Sequence, residues 1–275
     1  MKPLISYYGG KQRLAKWIIS HFPQHRSYIE PFCGGAAVFF AKEPVQLNVL
    51  NDTNGAVVNL YRQAKLQPDA LFRLIDATPH SRAEHQRACF IYRGEVDAEP
   101  LEQAWAMYTA CMQAFGKILG RLNNWAFDSK PNNRHSGVVS CSLANHKLRL
   151  PGILTHLDKA QIDSIDALAC ITRYDDADAL FYIDPPYIGT DMGAYNGYTQ
   201  ADFSALLDLL PSIKGTFFLS HYANAEMEQV AEKRGWAVFK KDTRCTAGAG
   251  HYLEGANVNR TEVLISNHNP KNLFS

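Results

Sequence analysis

The chain contains no Cys-x-x-Cys pair. Its six cysteines, Cys33, Cys89, Cys111, Cys141, Cys170 and Cys245, are scattered. No zinc site and no disulfide framework is therefore expected, and a reducing compartment is the default. No apolar run approaches the roughly 20 residues that span a membrane. The opening Met-Lys-Pro-Leu-Ile-Ser-Tyr-Tyr-Gly-Gly holds no long apolar core of a secretory leader. The expectation is a soluble, cytoplasmic protein with no membrane partner and no metal. Charge excess is also missing: the formal net charge is +1, which excludes a whole-surface polycation and leaves only a local patch for any nucleic acid. There is no internal repeat, no low-complexity tract and no G-x-G-x-x-G, so a dinucleotide site is disfavoured.

What is present is a large apolar fraction, 46% of 275 residues, enough for one large domain carrying a smaller insertion. Residues 1–66 read as α/β. Arg13 to Phe22 has helical apolar spacing, Tyr28-Ile29 begins a strand, Ala36 to Lys42 starts a helix, and Leu47 to Leu50 is a second strand. Thr53 is placed to cap a helix through Leu66. The segment 67–159 suits helices at Leu71 to Ile75, Ala83 to Tyr92 and Leu101 to Leu119. It continues as a long loop over 120–152, rich in Asn, Ser, Gly and Pro. From residue 160 the α/β pattern returns, with strands at Leu180 to Ile183, Thr216 to Leu219, Trp236 to Phe239 and Glu262 to Ile265, and helices at Phe203 to Leu210 and Ala225 to Lys233. Alternating strands and helices imply an open, mixed, mostly parallel Rossmann-like sheet formed by 1–66 with 160–275, interrupted by a helical insertion at 67–159.

The sharpest chemical signal is Asp184-Pro185-Pro186-Tyr187 directly after an apolar strand, because ligands of open α/β sheets bind beyond the carboxyl ends of strands. Two prolines fix the backbone and remove two N–H donors, leaving the Pro185 carbonyl rigid. That carbonyl and the Asp184 carboxylate can each accept one hydrogen of a planar –NH₂, while Tyr187 stacks on the ring that bears it, a contact worth roughly 1–3 kcal/mol per base. Accepting both hydrogens localises the lone pair of a poorly nucleophilic amino nitrogen, so attack on a sulfonium methyl needs mainly positioning.

Two further motifs suit a nucleoside-bearing ligand. Glu30-Pro31-Phe32-Cys33-Gly34-Gly35-Ala36 is a strand, glycine turn and helix start that permits close backbone approach. Asp52 ends the next strand, about 20 residues on, where an acid commonly binds ribose hydroxyls; alone it would pass for an Asx turn. Tyr7-Tyr8-Gly9-Gly10-Lys11 puts small residues beside a cation, which suits a carboxylate. Between 117 and 150 the basic residues Lys117, Arg121, Lys130, Arg134, Lys147 and Arg149 stand against Asp128 alone, a local charge of +5. Trp125 and Phe127 add stacking surface there. His21, His25 and His221 lack ligand spacing, and Trp105, Met107, Tyr108 and Met112 read as helix core. Ala247 to Gly255 is a glycine-rich connection.

The order Y-Y-G-G-K, E-P-F-C-G-G-A, N-D-T-N, helical insertion, D-P-P-Y resembles the Dam-type DNA adenine methyltransferases. The likeness runs on through Asp191 to Gly197, Phe218 to Tyr222 and Asn259 to Ile265. The resemblance implies S-adenosylmethionine as methyl donor, lined by Tyr7, Lys11, Glu30, Pro31, Phe32, Gly34, Gly35, Asp52, Asp166 and Asp184. It implies catalysis by Asp184, Pro185, Pro186 and Tyr187 on an adenine flipped out of double-stranded DNA. It also makes 67–159 the target-recognition segment, with Lys117, Arg121, Lys130 and Arg134 positioning phosphates and Asn132 and Asn133 among the base readers. Relatives often carry F-x-G-x-G, where Ala36 now replaces the last Gly, and Trp at position 7. A prokaryotic or phage-encoded monomer, associated with restriction-modification, is the expectation. Two alternatives remain: a methyltransferase for another amino group (DNA cytosine, RNA adenine or protein glutamine), or a non-catalytic DNA-binding module.

Overall fold

Ala179–Ile183 is buried at all five positions, as a strand in the interior of a parallel sheet must be. In the computed structural model, which describes residues 1–117, 119–128, 139–188, 197–244 and 259–269, this strand is β4 of a seven-stranded sheet. The strands are β1 Ser27–Glu30, β2 Leu47–Asn51, β3 Gln161–Asp163, β4 Ala179–Ile183, β5 Thr216–Tyr222, β6 Ala237–Arg244 and β7 Asn259–Ser266, in the order β3-β2-β1-β4-β5-β7-β6. β1 runs parallel to β2 and β4, and β4 parallel to β5. β7 is antiparallel to both β5 and β6. The described helices are α1 Ala15–Ile19, α2 Gly55–Leu66, α3 Pro68–Ala77, α4 Arg82–Tyr92, α5 Pro100–Met112, α6 Val139–Lys147, α7 Leu150–Leu157, α8 Ala167–Arg173, α9 Gln200–Leu209 and α10 Ala225–Arg234. The fold is mixed, mostly parallel α/β, as the alternating pattern implied.

The chain divides into two compact units. One comprises Met1–Lys16, Gly34–Pro44 and Asp52–Ser164; the other Trp17–Cys33, Val45–Asn51 and Ile165–Ser275. In the second unit one face of the sheet presents Ile29, Val49, Phe181, Ile183, Phe217, Leu219, Val263 and Ile265 to α8, α9 and α10, which contribute Ile171, Phe203, Leu206, Met227 and Ala231. Each of these helices has a polar start that satisfies its exposed N–H groups. Asp166 accepts from Leu168 N and Ala169 N at 3.0 Å each, Thr199 and Asp202 form a capping box, and Asn224 accepts from Met227 N. On the opposite face Phe22 packs on Phe218, with ring centroids 4.9 Å apart.

The first unit is built around α5, which is buried without a break from Ala104 to Met112 and packs against α2, α3 and α4. A helix apolar on all sides belongs inside. The exposed carbonyls at the end of α7 are satisfied from α2: Lys65 Nζ donates to Leu157 O, Asp158 O and Ala160 O at 3.4, 3.3 and 2.5 Å.

Several local expectations shift. Asn54, not Thr53, caps α2, its side chain accepting from Ala56 N at 3.0 Å. Ala36 to Lys42 yields only the 3₁₀ turn Phe39–Ala41. The helix expected over Leu101 to Leu119 stops at Met112, and left-handed Gly116 (φ 65°) lies just beyond. The expected loop over 120–152 becomes helical from Val139. Propensity is weak there, and burial supplies the reason: His146 of α6 is 6% exposed and bonds Tyr108 Oη and Pro3 O at 3.0 and 3.1 Å. β3 and α8 were not anticipated; three residues are too few to show alternation.

Phe181 is fully buried in β4. Phe181→Ala should therefore lower unfolding stability by about 3–5 kcal/mol, read from urea denaturation followed by circular dichroism.

Candidate active site

In the first unit, the glycine turn is shaped around an aromatic ring. Gly34 has φ +44°, and a Cβ there would lie 3.0 Å from Tyr7 Cδ1; a Cβ on Gly35 would lie 2.9 Å from Tyr7 Cβ. Only glycine allows this approach. Ala36 keeps a left-handed backbone, φ 48°, without being glycine. Asp52 is tied to the same turn: Oδ2 accepts from Gly34 N at 2.8 Å and Oδ1 from Asn54 N at 2.9 Å. The second bond is an Asx turn, and it coexists with the tether to the loop. Each carboxylate oxygen retains a second lone pair that can receive a hydroxyl. Burial raises the Asp52 pKa, and the Asn54 and Gly34 N–H groups partly oppose that. Asn54 Nδ2 donates to Tyr7 Oη at 3.3 Å, and Tyr61 Oη donates to Gly34 O at 2.9 Å. Lys11 is 8% exposed and donates to Gly9 O at 3.2 Å. Tyr7, Lys11, Gly34, Gly35 and Asp52 thus lie in one unit.

The second unit holds the remaining residues expected at the cofactor and the catalytic turn. Asp184, Pro185, Pro186 and Tyr187 follow β4 directly. Ile188 N donates to His221 Nε2 at 3.0 Å, so that nitrogen carries the lone pair and the other, Nδ1, donates to Tyr222 O at 2.8 Å. The Tyr187 ring stacks on His221 (centroids 4.5 Å apart, 27° between planes) and meets Tyr222 edge-on. Its hydroxyl bonds Glu262 Oε1 and lies 2.8 Å from Ser220 Oγ, which donates to the same carboxylate oxygen at 2.6 Å. Burial, then the charges of Asp184 and Glu262, push the Tyr187 pKa well above its ordinary value, so the phenol stays protonated. Glu30 is buried at the end of β1 and accepts from Tyr28 Oη at 2.7 Å. Phe32 meets Tyr198 edge-on with centroids 5.7 Å apart. Asp166 acts as the α8 cap through Oδ1.

Of the expected DNA contacts, Arg121 is exposed, while Lys130, Asn132, Asn133 and Arg134 lie outside the described residues, as do the Lys117 side chain, Asp191 to Asn196 and Ala247 to Gly255. Trp125 and Phe127 stack at 5.5 Å and 15°, and Arg82 lies over them at 5.2 and 5.8 Å. Arg82 starts α4, outside the basic stretch counted in the sequence. A cavity of about 520 Å³ opens elsewhere among the helices, lined by Ile75, Pro79, Tyr108, Met112, Leu143 and Lys147; it contains none of the expected cofactor residues. Sequence reading gave no individual role to Ser220 or Glu262 and found no metal-ligand spacing at His221. The available signals were their place in the resembling stretches Phe218 to Tyr222 and Asn259 to Ile265 and a glutamate opening the apolar run Val263-Leu264-Ile265.

Residues 7–234 match the model of the D12 class N6 adenine-specific DNA methyltransferases. The chain belongs to this family. Its relatives include the Type II methyltransferase M1.LlaDCHI of Lactococcus lactis subsp. cremoris, 27% identical over 98% of this chain and 96% of that protein. A second is M.CviBI of Paramecium bursaria Chlorella virus NC1A, 22% identical over 98% of this chain and all of the relative. A third, M.MjaIII of Methanocaldococcus jannaschii, is 24% identical over 74% and 75% of the two chains. This member of the family is accordingly an enzyme that methylates adenine in DNA, and it requires a methyl donor. No described helix is long and apolar enough to cross a membrane.

Two outcomes follow for the glycine turn. Gly34→Ala forces both a left-handed alanine and a close contact with Tyr7, and should destabilise the protein by about 1–2 kcal/mol, seen as a lower Tm. For Asp52 the folded pKa is raised, so its ionisation opposes folding: its contribution is full at low pH and is lost as pH rises through the folded value. Whatever the packing of the amide, the stability difference between Asp52→Asn and wild type should therefore move in favour of the variant from about pH 4 to pH 7, measured by urea titrations across that range.

Proposed function

We propose that this methyltransferase takes its methyl group from S-adenosylmethionine and delivers it to an adenine extruded from duplex DNA into the Asp184–Tyr187 turn. The observation that carries the reading is a rigid, donor-poor turn at the end of the central strand, followed by a phenol held at its hydroxyl and on its ring. Asp184 and the Pro185 carbonyl accept the two hydrogens of N6, which draws the nitrogen toward tetrahedral geometry. Tyr187 supplies the aromatic surface on which the unstacked base rests. Extrusion costs a few kcal/mol, which protein–DNA contacts must offset.

The donor set in the first unit fits the cofactor. Asp52, a half-buried carboxylate held by two backbone N–H groups, suits ribose hydroxyls; Tyr7 suits the purine, and Lys11 the methionine carboxylate. When bound, S-adenosylmethionine supplies an electrophilic methyl on a sulfonium. Glu30, Pro31, Phe32 and Asp166 are assigned to the same cofactor through the family resemblance. The helical segment 67–159 is assigned to recognition of the target, with Arg121 and Lys117 on phosphates and the Arg82–Trp125–Phe127 group available to bases. A restriction-modification role in the cytoplasm completes the reading.

Asp184→Ala should reduce methyl transfer at least about 10²-fold, as expected when a preorganised polar group at the reacting centre is removed, with S-adenosylmethionine affinity within a few-fold of wild type. Tritiated methyl transfer into unmethylated duplex DNA, with nucleoside analysis of the product, checks this. Wild-type rate in the variant would defeat the role of Asp184, and a cytosine product would defeat the choice of base.

A further inference from the structure

The Tyr187 ring is fixed by three residues from other strands. Ser220 and His221 are adjacent on β5, and Glu262 lies on β7, paired across from Tyr222 in the antiparallel register. Ser220 and Glu262 take the hydroxyl: Glu262 Oε1 bonds the phenol, and Ser220 Oγ sits 2.8 Å from the phenol and 2.6 Å from Glu262 Oε1. His221 takes the ring face and, through Nε2, the Ile188 N–H that ends the catalytic turn. Glu262 is 3% exposed, Ser220 is fully buried and His221 is 1% exposed. A carboxylate is placed so deeply only where strong hydrogen bonds compensate for lost hydration.

We propose that Glu262, Ser220 and His221 are positioning residues for the methyl-transfer step. They lock the orientation of Tyr187, so that the flipped adenine meets a rigid shelf and its N6 is aligned with Asp184 and the Pro185 carbonyl. The proposal rests on the assignment of Tyr187 as the base-stacking group. A phenol released from its clamp keeps its stacking surface but loses its fixed angle, and misplacements of about 1 Å at a reacting centre cost on the order of 10²-fold in rate. The loss should therefore fall on kcat more than on KM.

The test is a double-variant cycle on the full-length protein: wild type, Glu262→Ala, Tyr187→Phe and the double variant. It uses single- and multiple-turnover transfer of tritiated methyl from S-adenosylmethionine into unmethylated DNA. Melting temperature and S-adenosylmethionine affinity are recorded for each protein. The expected result is that each single variant lowers kcat about ten-fold or more, on the scale of lost alignment, with KM for S-adenosylmethionine within about two-fold. The double variant should be no slower than the slower single one, because both substitutions cut the same hydrogen bond. If the two losses multiply, or Glu262→Ala keeps the wild-type kcat, the clamp has no positioning role. If Glu262→Ala does not fold, Ser220→Ala takes its place in the cycle under the same criteria. A wild-type protein that transfers methyl to DNA adenine while Tyr187→Phe and Tyr187→Ala both remain fully active overturns the assignment of Tyr187, and the clamp with it.

Discussion

Burial of β4 on both faces is the constraint from which the geometry of the Asp184–Tyr187 turn follows. A strand covered by β1 and β5 at its edges and by side chains above and below has no freedom of register, because a slip of one residue would exchange its two faces. Phe181 and Ile183 hold one face in the core shared with α9 and α10. The direction in which the backbone leaves the sheet at Asp184 is thereby set before any site residue is considered, and the two prolines carry that rigidity outward. Catalytic turns placed after such strands inherit their precision from the core.

The same region shows how buried polarity is managed. Glu30 and Glu262 are both nearly inaccessible, and each receives a phenol hydrogen, from Tyr28 and Tyr187 respectively. Pairing a carboxylate with a phenol avoids the larger penalty of an unsolvated charge. It also keeps the phenol protonated, since loss of that proton would set two anions side by side.

How much was legible beforehand varied with the physics involved. Strands β1, β2, β4, β5 and β7 were visible as apolar runs, since burial demands hydrophobic residues, whereas β6, whose Val238 is 41% exposed, showed only the short run Trp236 to Phe239. Helix α6 was not visible: its sequence, Val-Ser-Cys-Ser-Leu-Ala-Asn-His-Lys, lacks a clear apolar stripe, and it is held by His146 bonding to residues far along the chain. Asp52 was read in two ways, as ribose ligand and as Asx turn. The tether to Gly34 shows that one carboxylate can shape the turn and keep lone pairs for a ligand.

The sequence alone determined the α/β class, the order of the chemical motifs and the rigid acceptor turn, because each depends on residues adjacent in the chain and on covalent limits such as those of proline. The chain could not announce in advance what surrounds Tyr187. Ser220 and Glu262 lie 33 and 75 residues beyond it, and only the parallel pairing of β4 with β5 and the antiparallel return of β7 bring their oxygens together. Side-chain identity encodes what a group can donate or accept; strand order and register decide which groups meet.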